Sequence, residues 1–111
     1  MLASIDTIFA ALANPTRREL LRLLREEGEQ SVQSLAAHFA MQRPSLSEHL
    51  KVLREVGLVS EQRRGRQRCY RLQGALLQAI SHWLTPYERF WQDRLNHLDT
   101  VLAEEWKHHH D

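Results

Sequence analysis

The stretch "LAAHFAMQRPSLSEHLKVLREVGLV", residues 35–59, carries two helical patterns separated by only a few residues. The first belongs to "VQSLAAHFA", which Ser31 can cap, with Val32, Leu35, Ala36 and Phe39 facing inward. The connection "MQR" is brief and leads to Pro44, which suits the first turn of a helix. That second helix, "PSLSEHLKVLREV", lines one side with Leu46, His49, Leu50 and Leu53, and Gly57 ends it. Two short helices this close together read as a helix-turn-helix.

The flanking segments extend the pattern. Ile5, Ile8, Phe9, Leu12 and Ala13 follow helical spacing, and Asn14-Pro15 reads as an N-cap with proline at the first helical position. The helix that follows presents Leu20, Leu21, Leu23 and Leu24 and stops at Gly28. After Gly57 the period changes. "LVSEQRR" and "RQRCYRL" are two extended runs around Arg64-Gly65-Arg66, a β-hairpin with glycine at its turn. From Gly74 to Trp106 helical spacing returns, and Thr85-Pro86-Tyr87-Glu88 matches a capping box, which predicts a kink or restart near Pro86. The expected fold is mainly α: a winged helix-turn-helix of four helices, a two-stranded β-wing and a long C-terminal dimerisation helix.

At 111 residues the chain suits one domain, 1–111, whose core has little to spare and can be completed in a dimer. No run of about 18 apolar residues predicts a membrane span. The first residues lack the basic start of a signal peptide. The lone cysteine rules out an intrachain disulfide and fits a reducing cytoplasm. The run "HHH" at 108–110 is either native or an added tag and carries no weight here.

The net charge of +1 hides a strong asymmetry. Residues 43–71 hold eight Arg/Lys against three acids, whereas residues 73–111 hold three against six. A basic middle is the footprint that a polyanion favours. With Leu46, Leu50 and Leu53 turned to the core, Arg43, Ser45, Ser47, Glu48 and Lys51 form the outer face of the second helix of the motif, where base edges and phosphates would be met. Glu48 can accept from cytosine N4 yet repels phosphate. The wing arginines Arg63, Arg64, Arg66 and Arg68 are read as phosphate contacts rather than a solvated hairpin.

Here the sequence resembles the ArsR/SmtB-type winged-helix repressors. "ALANPTRRELLRLL", "LAAHFAMQRPSLSEHLKVLREVGLV" and "RRGRQRCYRL" carry the likeness, which covers residues from about 5 to 75. The resemblance implies a homodimeric transcription factor on a partly palindromic double-stranded operator, with Ser45, Ser47, Glu48, His49 and Lys51 on the recognition helix and Arg63, Arg64, Arg66 and Arg68 on the wing. Three departures stand out. The family's thiolate motif, a Cys-x-Cys-type pair at the start of the recognition helix, is absent from "AMQRPSLSEHL". Gln42 stands where many members have a serine cap, and Glu48 where many have a basic or amide side chain. The aromatic-rich tail is similar to a subgroup of that family.

Other residues allow more than one role. Cys69 can be a thiolate sensor among arginines or a buried, inert strand residue that faces the core if Arg68 and Tyr70 face out, and the latter is preferred. His49 is read as a packed histidine with one ring nitrogen satisfied. Asp93 and His97, one turn apart, form at most half a metal site, against an Asp–His hydrogen bond on a solvated face. No metal or other cofactor is expected. Ile5, Ile8, Phe9, Ile80, Trp83, Tyr87, Phe90, Trp91 and Leu98 are assigned to a dimer interface formed by residues 1–13 and 74–106. A small apolar effector within that aromatic seam is the alternative. Nothing supports catalysis: there is no Gly-rich phosphate loop, no plausible Ser/His/Asp set and no catalytic carboxylate pair. The competing class is a winged helix used only for protein–protein contact or dimerisation.

Overall fold

The computed structural model describes residues 4–110, without the side chain of His110. The outermost residues of the expected 1–13 and 1–111 segments therefore lie outside the described residues. Two compact units emerge, Met1–Ala79 and Ile80–Asp111.

In the first unit the first three helices start where a side chain can satisfy a free amide. Helix α1 (Ile5–Leu12) is capped by Ser4, whose hydroxyl accepts from the Thr7 amide. Helix α2 (Pro15–Glu27) is capped by Asn14, whose side chain accepts from the Arg17 amide, and has Pro15 at its first position. Strand β1 (Gln30–Ser31) leads directly into α3 (Val32–Ala36), capped by Ser31. The recognition helix α4 (Arg43–Val56) begins at Gln42, which makes no side-chain cap.

Gly57 terminates α4. With φ +99° it is left-handed, its N–H reaches the Arg54 carbonyl at 3.0 Å, and the Leu58 N–H reaches the Leu53 carbonyl at 2.9 Å. This is a Schellman arrangement, with Leu53 and Leu58 both fully buried beneath it. The chain then enters β2 (Val59–Arg64) and returns as β3 (Gln67–Leu72) through the two-residue loop Gly65-Arg66. Gly65 takes φ +64°, as a tight hairpin requires.

The sheet has three strands, not the two expected, in the order β1-β3-β2 and antiparallel throughout. Strand β1 is two residues long, too short to show alternation, and is visible only through its pairing with β3. Strand β3 is central, paired along both edges, and its consecutive residues Cys69 and Tyr70, which point to opposite faces, are both buried. The expectation that Tyr70 turns outward is thereby corrected: Tyr70 joins the main core, and Cys69 is buried on the opposite face. The core gathers Leu20, Leu23, Leu24, Leu35, Leu46, Leu50, Leu53, Leu58 and Val59 from α2, α3, α4 and the start of the wing.

Helix α3 is shorter than the pattern through residue 40 suggests. Tight turns take over after Ala36, with His38 and Phe39 donating to the Leu35 and Ala36 carbonyls. After a 3-10 turn (Gly74–Leu76), α5 runs from Leu77 to His110. Of the kink or restart expected at Pro86, the restart does not occur, since the helix is continuous through it. Proline removes one rung and costs about 3 kcal/mol in a helix interior, and the helical pattern on both sides carries the helix through. Thr85, expected as a cap, instead donates its hydroxyl to the Ser81 carbonyl within the helix. No helix among the described residues is long and apolar enough to cross a membrane.

Candidate nucleic-acid interface

The recognition helix displays Arg43, Ser45, Glu48 and Lys51 as exposed residues, with Ser47 half-buried. Arg43 and Ser47 lie on the side of α4 that faces the wing. Together with Ser31, Val32 and Gln33 at the start of α3, and Arg63, Arg66, Gln67 and Arg68 of the wing, they line a polar cleft of about 290 Å³. Four arginines thus line one concavity.

Strand register separates the arginines of the two strands. Arg63 pairs directly with Arg68, Glu61 with Tyr70, and Arg64 with Gln67. Because side chains alternate, Arg63 and Arg68 share the face of Glu61 and Tyr70, whereas Arg64 lies on the other face. There Glu29 binds Arg64 through its Nε at 2.5 Å and its Nη2 at 3.3 Å. The Arg64 hydrogen bond and positive charge hold the Glu29 carboxyl below the usual range, and Glu29 raises Arg64 in turn. Arg64 is therefore a staple between the wing and the α2–β1 turn, and it is absent from the cleft lining.

On the cleft face Glu61 serves two cations. One carboxylate oxygen accepts from Arg54 at 2.5 Å, and the other stands 3.7 Å from Arg68. Burial raises the Tyr70 phenol first, and the neighbouring Glu61 carboxylate adds to this. Arg43, Lys51, Arg63 and Arg66 have side chains with no hydrogen bond or ion pair among the described residues. The cleft thus carries uncompensated positive charge beside hydroxyl and amide donors, an arrangement that suits phosphate oxygens.

His49 is not brought to the cleft. It lies half-buried on the flank of α4 toward α2, with Nδ1 3.3 Å from Arg17 Nη1. Burial and then the Arg17 charge lower its pKa from 6.5. Sequence reasoning missed Ser31, Gln33 and Gln67. Ser31 was visible only as a cap, and polar residues in a short turn carry no pattern that points to a cleft.

In the second unit, Tyr87, Phe90, Trp91, Leu95, Leu98 and Leu102 are exposed, Trp91 by 64 %. Trp83 and Tyr87 rings lie 5.0 Å apart, and Arg94 stacks over Phe90 at 4.5 Å. Asp93 and His97 border a shallow groove with Phe90, Arg94, Leu98 and Val101. Among the described residues no group of three or more His, Cys, Asp or Glu is gathered as a metal site. In the first unit, Phe9 is exposed and Ile5 partly so, but Ile8 is fully buried. Of the residues expected at the dimer interface, Ile8 is thus buried within the single chain.

Residues 14–61, from the α2 cap into β2, match the family model for bacterial regulatory proteins of the arsR family. The chain is 38% identical over 102 residues to the HTH-type transcriptional regulator Rv2034 of Mycobacterium tuberculosis (strain ATCC 25618 / H37Rv), covering 92% of each protein. The chain belongs to the ArsR family. It is also 34% identical over 80 residues to the transcriptional repressor SdpR of Bacillus subtilis (strain 168), covering 72% of this chain and 88% of SdpR. The crystal structure of the ArsR family transcriptional regulator RHA00566 superposes with a TM-score of 0.71 at 32% identity, covering 83% of this chain and 97% of that one. As an ArsR-family protein it is a helix-turn-helix transcriptional regulator, and its wing and recognition helix are the elements that border the cleft. Its single cysteine lies in β3, away from the start of the ArsR recognition helix.

Proposed function

We propose that this protein is a cytoplasmic, homodimeric repressor that binds a partly palindromic DNA operator and performs no catalysis. The observation that carries the reading is the cleft in which Arg43 and Ser47 of the recognition helix meet Arg63, Arg66 and Arg68 of the wing. In this reading Ser45, Glu48 and Lys51 lie along the major groove. Arg43, Ser47 and the cleft arginines grip the adjacent backbone. Helix α1 and the exposed apolar face of α5 join two copies, which sets the recognition helices about one DNA turn, roughly 34 Å, apart. A long apolar helix face of this kind favours burial against a partner. Repression is the activity in the name of the similar SdpR.

The test is a fluorescence-anisotropy titration of the purified protein against a duplex from upstream of its own gene and against a scrambled duplex of equal length. Binding at least about a thousandfold tighter to the first duplex supports a specific operator. Equal and weak binding to both contradicts it.

A further inference from the structure

Arg17 joins three helices with one guanidinium. Its Nε donates to the Ala11 carbonyl at 2.6 Å and its Nη2 to the Ala10 carbonyl at 3.1 Å, both in the last turn of α1. Its Nη1 lies 3.3 Å from Nδ1 of His49 on the recognition helix. A guanidinium can only donate, so Nδ1 must accept. His49 is then neutral and carries its proton on Nε2. That second nitrogen has no protein partner, yet no buried side-chain nitrogen is left unsatisfied among the described residues, so Nε2 opens to solvent.

We infer that Arg17 and His49 are a positioning pair that sets the recognition helix against α1, and that the pair operates only while His49 is neutral. The inference rests on the DNA-binding reading above. A proton arriving at His49 must settle on Nδ1. It would replace the acceptor with a donor and place two cations in contact. Arg17 cannot retreat easily, because the α1 carbonyls hold it from the other side and the negative end of the α1 dipole favours its charge there. The recognition helix has to give way. Of the elements packed against α4, only α2 presents a charged group to His49, namely Arg17; α1 contributes main-chain carbonyls through Arg17, and no carboxylate from α3 or β2 forms an ion pair with the ring to offset its protonation. The seat is thus built against the imidazolium, and acid should loosen the grip on DNA even though acid makes the whole protein more positive.

The experiment has two arms on the full chain. Nitrogen-15 NMR of wild type reads the His49 tautomer and titration directly. An Nε2–H tautomer that titrates below the ordinary histidine value supports the pair, and an Nδ1–H tautomer or a titration at or above that value overturns it. The second arm compares affinity for the upstream duplex between pH 8 and pH 5 in wild type and in His49→Gln, whose amide oxygen can accept from Arg17 and cannot titrate. Wild type should lose about tenfold more affinity than the variant toward acid, the scale of one hydrogen bond to a charged group, while the two stay within about threefold of each other at pH 8. Superimposable pH profiles overturn the positioning role. Absence of DNA binding by wild type at every pH counts against the DNA-binding reading itself, and the NMR arm still decides the pair.

Discussion

Arg63 of β2 and Arg68 of β3 stand directly opposite each other across the wing, on the face that borders the recognition helix. Like charges in this position repel. Glu61 relieves Arg68 and Arg54 but leaves Arg63 uncompensated. The wing therefore holds electrostatic strain that a phosphate would relieve, and its arginines differ in kind rather than forming one basic patch.

Arg64 should behave unlike its neighbours. Because Glu29 occupies it on the opposite face, Arg64→Ala is expected to leave the salt dependence of DNA binding unchanged. It should loosen the wing instead, seen as faster amide hydrogen exchange in β2 and β3. The Glu29 carboxyl is held below the usual range, so the contribution of this pair is present at neutral pH and is lost as pH falls through that lowered value. A reduced salt slope in Arg64→Ala would contradict the division between the two faces.

A side chain at Gly57 should destabilise the fold. A Cβ there would lie 3.1 Å from Leu76 Cδ1, on a residue with φ +99°. Gly57→Ala is expected to cost about 1–2 kcal/mol from the backbone alone, with the crowding against Leu76 in addition. Urea denaturation checks this, and a stability equal to wild type would refute the capping account.

The His49 environment predicts a pH dependence of folding. Its folded pKa is depressed, so the unfolded chain binds the proton more readily. Its contribution is fully present above the ordinary value of 6.5 and declines as pH falls from there toward the lowered folded value. Urea midpoints for wild type should drop across that window more steeply than those of His49→Gln. Parallel curves would remove His49 as the cause.

The α5 face should control assembly. Replacing Phe90 and Trp91 with serine removes two exposed aromatic rings from the proposed interface. Sedimentation velocity is expected to show a dimer for wild type and mostly monomer for the variant, with the winged-helix circular dichroism retained. A variant that remains dimeric would place the interface elsewhere.

The helix order and the core leucines were legible because caps, glycines and periodicity agree at each boundary. Asn14-Pro15, Ser31 and Gly57 each do in the structure what their chemistry suggests. The recognition helix and wing were legible for the same reason, together with the basic charge around them. What stayed hidden depends on register and tertiary pairing. The parity that parts Arg64 from Arg63 and Arg68 follows from strand pairing, and strand β1 exists only through its bonds to β3. The burial of Tyr70 comes from tertiary packing, since it joins the core with the leucines of α2, α3 and α4. At Pro86 the sequence left a kink and a restart open, because a capping-box pattern and an interior proline look alike, and the continuous helix rules out only the restart.

The central claim is that the Arg63, Arg66 and Arg68 side of the wing grips the DNA backbone. The most direct measurement is the slope of log affinity against log salt for the upstream duplex, in wild type and in Arg63→Ala/Arg66→Ala. The slope should be steep in wild type and shallower in the variant by about 0.9 for each phosphate that the missing arginines would have neutralised. Equal slopes in the two proteins would contradict it.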